Sequence, residues 1–240
     1  MILRKINNNN YKQYELTADA LSLPHETKKP YLIALVGGGG KTTTLLNLTH
    51  QLSDAGHKVL GMTTTHMQAP PEWNVILEND PSLILSRAQK CGMVIAGQKG
   101  DRRGMKMIDM AVYESIYQEF NYIIYEADGS RRHPIKTPAD YEPVILPDTD
   151  MIIVTMGLSA IGQTLETACH RYELLNMPPD TIITESLAAE IIKNGYGNYA
   201  IPTFYQFNQA DTPEQIISGK LLGSYFDNVI ISNYNCRCEH

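Results

Sequence analysis

Cysteine, basic charge and long apolar runs are scarce in this chain, and each scarcity excludes a class of protein. Four cysteines in 240 residues are too few and too scattered for a disulfide framework, which favours a reducing compartment. The formal net charge is −6, so general binding to nucleic acid is not expected. No apolar run approaches the roughly 18 residues of a membrane span, and the first residues lack the apolar core of a signal peptide. We therefore predict a cytoplasmic protein that binds neither nucleic acid nor membrane.

The hydrophobic pattern alternates between strand-like and helix-like segments along most of the chain. Apolar runs predict strands at residues 31–36, 58–62, 73–77, 93–96, 122–125, 151–155, 200–207 and 229–231. Helices are predicted at residues 14–23, 43–55, 108–120, 165–175 and 186–193, with a last helix that begins after Thr212. Alternating strands and helices of this kind indicate an α/β fold with a mostly parallel sheet flanked by helices.

A glycine-rich segment between the first of these strands and its helix has the pattern of a phosphate-binding loop. Its residues are Gly37, Gly38, Gly39, Gly40, Lys41, Thr42 and Thr43. Glycines let successive N–H groups turn toward an anion, and the helix that follows adds the positive end of its dipole. Lys41 can reach the β- and γ-phosphates, and the Thr42 hydroxyl can bind Mg²⁺. The loop resembles that of the SIMIBI class, although Leu35 replaces the first glycine of the full pattern and Val36 a lysine found in several members.

This loop indicates which α/β fold the chain adopts and where its nucleotide-binding domain begins. We expect a three-layer P-loop NTPase fold that binds ATP or GTP with Mg²⁺ as cofactor. Residues 31–240 are interpreted as the nucleotide-binding domain, and the polar residues 1–30 as an N-terminal extension and linker.

Two carboxylates follow the strand predicted at residues 122–125, where a residue that organises a metal is expected. In an extended chain Glu126 and Asp128 point to the same side. One could hold Mg²⁺, with Glu126 and Thr42 as its ligands, while the other orients a water molecule or a substrate hydroxyl. Lys41, Glu126 and Asp128 are therefore the catalytic candidates, and the alternative is that one carboxylate only caps the loop.

A second short motif bears on the choice of base. Asn208 and Asp211 resemble the Asn-Lys-x-Asp motif by which GTPases read guanine, with Gln209 in place of the lysine. An aspartate there can accept two hydrogen bonds that guanine offers and adenine does not. We assign Asn208 and Asp211 to nucleotide binding and favour GTP slightly over ATP. The alternative is a turn that leads to the helix cap at Thr212.

Basic residues are concentrated just after the acidic motif. Arg131, Arg132 and Lys136 belong to a proline-rich loop, and Arg171 is assigned to the predicted helix at residues 165–175. In an acidic chain, a basic loop beside a phosphate-binding loop suggests a clamp for a substrate or a phosphate group. A solvated charged loop is the alternative.

Two weaker candidates lie outside these motifs. Residues 63–66 follow the second predicted strand, and their hydroxyl groups could sense the γ-phosphate or Mg²⁺. Cys236, Cys238 and His240 could hold a soft metal, but three ligands in a frayed tail more often have no such role.

Five motifs occur in an order that resembles a known family. They are Gly-Gly-Gly-Gly-Lys-Thr-Thr, Thr-Thr-Thr-His-Met, Glu-Ala-Asp-Gly-Ser-Arg-Arg, Pro-Ile-Lys-x-Pro-Ala-Asp-Tyr-Glu-Pro-Val and Cys-His-Arg. Together they resemble the YqeC family of accessory proteins for selenium-dependent molybdenum hydroxylases, over residues 31–211. The resemblance implies a role in maturation of these enzymes, with the molybdenum cofactor and a molybdenum hydroxylase as partners. The Glu-x-x-Gly form is also similar to GTPases that insert nickel or cobalt.

The sequence leaves three functions open. The first is an NTPase that assists insertion or modification of a molybdenum cofactor. The second is a small-molecule kinase or nucleotidyl transferase, with Asp128 as base and Arg131 or Lys136 holding the acceptor. The third is a nucleotide-gated binding module without enzymatic activity.

Overall fold

The computed structural model describes residues 1–7, 10–71, 74–101 and 104–233. Its strands are β1 Ile2–Asn7, β2 Asn10–Tyr14, β3 Tyr31–Gly37, β4 Val59–Thr63, β5 His66–Gln68, β6 Val75–Ile76, β7 Met93–Ala96, β8 Gln98–Lys99, β9 Gly104–Lys106, β10 Tyr122–Glu126, β11 Ile135–Lys136, β12 Met151–Gly157, β13 Cys169–His170, β14 Thr203–Asn208 and β15 Val229–Ser232. Its helices are α1 Thr17–Leu21, α2 Lys41–Asp54, α3 Pro81–Cys91, α4 Met110–Ile116, α5 Leu165–Ala168, α6 Glu185–Tyr196 and α7 Pro213–Gly223.

Ten of these strands form one sheet in the order β2-β1-β15-β14-β12-β3-β10-β4-β7-β6. The eight strands from β15 to β6 pair in parallel, and β1 and β2 extend that edge in antiparallel pairs. Short strands form two small accessory sheets, β11-β13 and β5-β9-β8. The mostly parallel sheet predicted from the sequence is confirmed.

Strand β3 shows how the sheet is covered on both faces. Its residues alternate, so that Leu32, Ala34 and Val36 join one apolar cluster while Ile33 and Leu35 join the other. The first cluster packs against residues of α3 to α7, and the second against residues of α1 and α2. Each buried aliphatic side chain contributes about 1.5–3 kcal/mol of hydrophobic free energy. The molecule is therefore the three-layer α/β fold expected for a P-loop NTPase.

The strand register brings the predicted motifs to one edge of the sheet. Leu35 of β3 pairs with Glu126 of β10, and Glu126 also pairs with Thr63 of β4. On the other side, Gly157 of β12 pairs with Asn208 of β14. Because the carboxyl ends of parallel strands share an edge, the loops that follow these strands surround one site.

Several element predictions are wrong or incomplete. The predicted helix at residues 165–175 is instead the one-turn α5, the short strand β13 and a 3₁₀ turn at Tyr172–Leu175. Helix α3 was missed, although Asp80 caps it through the Ser82 and Leu83 amides and Pro81 occupies its first turn. The extension assigned to residues 1–30 contains β1 and β2, which pair with the central sheet.

The remaining elements follow the sequence pattern with small differences. Helix α4 covers only part of the predicted segment 108–120 and is followed by a 3₁₀ turn at Tyr117–Glu119. Of the predicted strand 73–77, β6 retains two residues, and Trp73 lies outside the described residues. Among the described residues, none of the helices has the length and apolar character needed to cross a membrane.

Candidate functional site

The phosphate-binding loop is a tight turn fixed by its neighbours. Gly37, Gly39 and Gly40 all have positive φ, and a Cβ on Gly39 would lie 2.1 Å from the Gly157 amide nitrogen. The Gly38 amide donates to the Thr155 carbonyl at 2.9 Å. Only glycine fits this backbone and this close approach, which is why the segment carries four in a row.

The loop opens onto a cavity of about 750 Å³. Its walls include Gly39, Gly40, Lys41, Thr42, Thr43, Thr65, His66, Met67, Gln68, Glu126, Gly129, Ser130, Arg131, Arg132, Glu142, His170, Arg171 and Gln209. Residues 40–43 form the N-cap and first turn of α2, whose amide groups have no partner within the helix. Four cationic and two anionic side chains lie on the walls, so the cavity is positive in a protein of net charge −6. Such a cavity favours a polyanionic ligand.

Thr42 and Glu126 form an oxygen-rich pair on the cavity wall. The Thr42 hydroxyl donates to Glu126 Oε1 at 2.5 Å. Burial raises the pKa of the Glu126 carboxyl, and the positive charge of Lys41 and the Thr42 hydrogen bond partly oppose this. Mg²⁺ prefers one or two protein oxygens completed by phosphate oxygens and water, and this donor set matches that preference.

Asp128 is fully buried at the centre of the site and does not line the cavity. Its oxygens accept from the Gly37 amide at 3.1 Å and from the Tyr196 hydroxyl at 2.8 Å. The ammonium groups of Lys41 and Lys136 lie 3.2 and 3.3 Å from it. Lys41 also donates to the Gly37 carbonyl at 2.5 Å. In this arrangement Asp128 positions two lysines, while Glu126 faces the cavity.

Glu142 was not predicted and connects the buried lysine to the cavity. It accepts from Lys136 at 2.6 Å and pairs with the Arg171 guanidinium. Burial disfavours its charged form, but the hydrogen bonds from these two cations outweigh burial and lower the Glu142 pKa. Lys136, predicted as a clamp residue, is itself buried and does not line the cavity. In the sequence Glu142 is the glutamate of the Pro-Ile-Lys-x-Pro-Ala-Asp-Tyr-Glu-Pro-Val motif, which carried the family resemblance but assigned this residue no role.

Three arginines contribute to the cavity wall from unusual backbone conformations. Arg131, Arg132 and Arg171 have φ of 48°, 67° and 62°, in the left-handed region. Non-glycine residues adopt this region rarely, and such residues are concentrated at functional sites. Arg132 donates to the Gln68 side chain, and Arg171 also donates to the Tyr141 hydroxyl at 2.9 Å. Arg171 is not on a helix, contrary to the prediction, because β13 and a turn replace it.

His170 lies in the cavity wall, and its ring stacks on that of His133 with 5.6 Å between centroids. Burial and the nearby charges of Lys136 and Arg171 lower its pKa from 6.5 to about 4. The ring is therefore neutral at pH 7, and an anion bound in the cavity would favour its protonated form.

We expect NMR titration of the His170 ring to give a midpoint near 4, well below 6.5. Because the ring gains a proton more readily in the unfolded chain, His170 lowers the stability of the fold as pH falls from 6.5 toward 4. Saturating inorganic phosphate should raise the midpoint. A midpoint for the His170 ring at its ordinary value of 6.5 would contradict the prediction.

The predicted guanine motif is only partly brought to the site. Asn208 is buried, and its side-chain amide donates to the Gly39 carbonyl at 2.9 Å. Its oxygen accepts from Gln206 and Ser232, which fixes the orientation of the amide. Asp211 is exposed and does not line the cavity, whereas Gln209 does. Asn208 therefore supports the phosphate-binding loop.

The hydroxyl groups of residues 63–65 divide into two roles. The Thr63 hydroxyl donates to the Glu126 carbonyl at 3.0 Å and ties β4 to β10, whereas the Thr64 hydroxyl donates to the Val144 carbonyl at 2.8 Å. Thr65 lines the cavity, and its buried hydroxyl oxygen has no hydrogen-bond partner among the described residues. No cluster of three or more His, Cys, Asp or Glu side chains suited to a metal occurs in the described ranges, and Cys236, Cys238 and His240 lie outside them.

The chain is similar to one protein family and to individual proteins from other organisms. The model of the family described as "YqeC protein" matches residues 33–173. The chain is 29% identical over 182 residues to "Uncharacterized protein YqeC" of Escherichia coli (strain K12), covering 72% of this chain and 71% of that protein. It is 26% identical over 144 residues to the signal recognition particle 54 kDa protein of Pyrobaculum aerophilum, covering 57% of this chain and 31% of that protein.

Two solved structures align over most of the chain. One is a plasmid partition protein from Borrelia burgdorferi B31 bound to AMPPNP, with a TM-score of 0.44, 16% identity and 84% and 85% of the two chains covered. The other is the hydrogenase maturation factor HypB from Archaeoglobus fulgidus, with a TM-score of 0.40, 12% identity and 85% and 81% covered. The family match spans more than half of the described chain, and this protein is a member of the YqeC family.

Proposed function

We propose that this protein is a cytoplasmic, Mg²⁺-dependent NTPase that acts as an accessory factor in the maturation of molybdenum hydroxylases. One observation carries the NTPase part. Lys41, Thr42 and Glu126 stand together on the wall of a positive cavity, with Thr42 and Glu126 joined at 2.5 Å. A triphosphate with Mg²⁺ requires oxygen ligands for the metal, a flexible ammonium group and free helix amides, and this site offers all three.

The proposed roles follow from the contacts of these residues. Lys41 leaves the Gly37 carbonyl and Asp128 and turns its ammonium group to the β- and γ-phosphates. Thr42 and Glu126 hold Mg²⁺, which when bound neutralises charge that develops on the phosphate oxygens. Thr65, with its unpartnered hydroxyl, orients a water molecule or a phosphate oxygen. The amides of residues 40–43 bind the phosphates through the positive end of α2.

The proposed base and client rest on a sequence motif and on family membership. GTP is favoured slightly over ATP because of Asn208 and Asp211, although only Asn208 contacts the phosphate-binding loop. The molybdenum part rests on family membership and on the motif resemblance over residues 31–211. In this proposal Arg131, Arg132 and Arg171 hold the acidic cofactor or its phosphate within the same cavity.

Substitution of Glu126 tests the metal site. We expect Glu126→Gln to weaken Mg²⁺-dependent nucleotide binding and to reduce phosphate release by about 10-fold or more, because a metal-organising carboxylate is lost. Phosphate release from GTP and from ATP is measured across Mg²⁺ concentrations, with chelation of Mg²⁺ abolishing it in the wild type. Exposed Glu119→Gln is the matched control. An identical Mg²⁺ dependence in Glu126→Gln and wild type would refute this assignment.

A second candidate function is a small-molecule kinase or nucleotidyl transferase. The three arginines on the cavity wall favour it, because they offer a site for an anionic acceptor beside the triphosphate. Label from the γ-phosphate would then appear in an organic acceptor instead of free phosphate. Exclusive appearance of labelled inorganic phosphate, with candidate acceptors present, would support the hydrolase.

A further inference from the structure

Five charged side chains form a continuous series of ion pairs from the phosphate-binding loop to Arg171 on the cavity wall. In order they are Lys41, Asp128, Lys136, Glu142 and Arg171, which we call the charge chain. The ammonium group of Lys41 lies 3.2 Å from Asp128, and that of Lys136 lies 3.3 Å from Asp128 and 2.6 Å from Glu142. Arg171 closes the series through its ion pair with Glu142. Positive and negative groups alternate throughout.

Both end cations of the charge chain and the Glu142 carboxylate face the cavity, whereas the central pair does not. Lys41 and Arg171 line the cavity, whereas Asp128 and Lys136 lie behind its wall. Fixed partners hold the middle in place. Tyr196 donates to Asp128 at 2.8 Å, and Lys136 donates to the Gly129 carbonyl at 2.6 Å. Only the end cations can therefore turn toward a ligand without breaking the buried centre.

The balance of charge limits how many of the two end cations, Lys41 and Arg171, can bind a ligand at the same time. Three cations and two carboxylates leave one surplus positive charge. All but Arg171 are almost fully buried, with exposed side-chain fractions of 9% or less. Buried ionised groups must be matched by opposite charge, because an unmatched one loses its hydration without compensation.

We propose that this charge chain makes the two ends antagonistic, so that a nucleotide triphosphate on Lys41 weakens the binding of a second, phosphate-bearing ligand on Arg171. The inference rests on the proposed function, because it assumes that the phosphate-binding loop takes a nucleotide. When a phosphate draws Lys41 away, Asp128, Lys136, Glu142 and Arg171 remain and balance. When Arg171 is drawn away as well, Asp128 and Glu142 share Lys136 alone, and one buried negative charge is unmatched.

Because of this antagonism, the triphosphate and the second ligand would occupy the cavity in alternation. When a triphosphate binds Lys41, Lys136 must neutralise Asp128. Glu142 then needs Arg171 as its partner, and the ion pair between them keeps Arg171 from a second ligand. After loss of the γ-phosphate, Lys41 returns to Asp128 and Lys136 serves Glu142. Arg171 is then free to bind the second ligand. Nucleotide state would thus decide whether the anionic second ligand is held or released.

Inorganic phosphate is a suitable probe for the second site when the phosphate-binding loop is filled. The protein is saturated with a non-hydrolysable GTP or ATP analogue and Mg²⁺, phosphate is titrated, and the NMR shift of the adjacent His170 ring reports binding. We expect Glu142→Gln to bind phosphate about five-fold or more tightly than wild type in this state, because Arg171 is no longer required as a partner. Arg171→Gln should show no phosphate-dependent shift.

Asp140→Asn is the matched control, because it removes the same charge two residues away, at an exposed position outside the charge chain. It should bind phosphate as wild type does. Equal phosphate affinity in Glu142→Gln and wild type would overturn the inference. So would an equal gain in Asp140→Asn, which would indicate a general charge effect.

A second comparison needs no substitution at Glu142 and guards against misfolding of that variant. In wild type, the His170 response to phosphate should require about five-fold more phosphate with the triphosphate analogue bound than with the corresponding nucleoside diphosphate bound. Unchanged phosphate affinity would refute the antagonism while leaving the NTPase proposal intact. Failure of wild type to bind any analogue, seen before phosphate is added, would instead refute the proposed function and the antagonism with it.

Discussion

Lys41→Ala is expected to reduce nucleotide-dependent phosphate release by about 100-fold or more, which is the usual cost of deleting one positioned donor at a developing charge. Lys41 is the only lysine among the described residues that lines the cavity. Its ammonium group rests on the Gly37 carbonyl and Asp128, within the loop itself, so a short movement brings it to a bound phosphate. Nucleotide binding and phosphate release are measured side by side.

The loss should come from function and not from unfolding. In Lys41→Ala, Asp128 retains Lys136 and the Tyr196 hydroxyl as partners. The matched control is Lys58→Ala, whose side chain is 46% exposed and only 3.8 Å from Glu119 in a surface ion pair. Lys58→Ala should release phosphate at the wild-type rate. If Lys41→Ala does so too, the phosphate-binding loop has no role in turnover.

Asp128→Asn is expected to lower the free energy of unfolding by about 3–5 kcal/mol, the cost of breaking a buried ion pair by removing one partner. Two buried lysines share this carboxylate, and the amide that replaces it carries no charge to match them. The new amide group would also face the Gly37 N–H as a donor or leave it with a weaker acceptor. Chemical denaturation followed by circular dichroism measures the change.

Glu119→Gln is the matched control for this substitution. It removes one carboxylate from an ion pair with Lys58 in which both side chains are about half exposed. Surface pairs contribute about 0–1 kcal/mol, so the control should be nearly as stable as wild type. A stable Asp128→Asn variant without turnover would contradict the structural role and make Asp128 the catalytic base considered from the sequence.

The parts of the site that could be predicted are those formed by residues close together in the sequence. The glycine run, Lys41 and Thr42 impose their geometry locally, so their position at the start of α2 followed from the sequence. Glu126 was also placed, because a buried strand ends there. Asp128 was expected on the same side as Glu126, but β10 ends at Glu126 and strand alternation no longer applies beyond it.

The parts that could not be predicted depend on contacts between distant residues. Glu142 acquires its importance only because Arg171 and Lys136 fold against it. The predicted helix at residues 165–175 fails because Ile135 and Lys136 pair with Cys169 and His170 as a small parallel sheet. Strand β1 mixes apolar and polar residues and β2 is mostly polar, so the hydrophobic pattern did not indicate that β1 pairs with β15 and β2 with β1.

The two edges of the ten-stranded sheet differ in composition, but both disfavour pairing with strands of neighbouring molecules. At one edge, β2 reads Asn-Tyr-Lys-Gln-Tyr, and the Lys12 ammonium group lies over the Tyr14 ring at 5.1 Å. At the other edge, β6 is only two residues long. A long, flat, apolar edge would template strands from neighbouring molecules, and lysine, polar side chains and short length each prevent this. A wide parallel sheet can thus end at both sides without promoting aggregation.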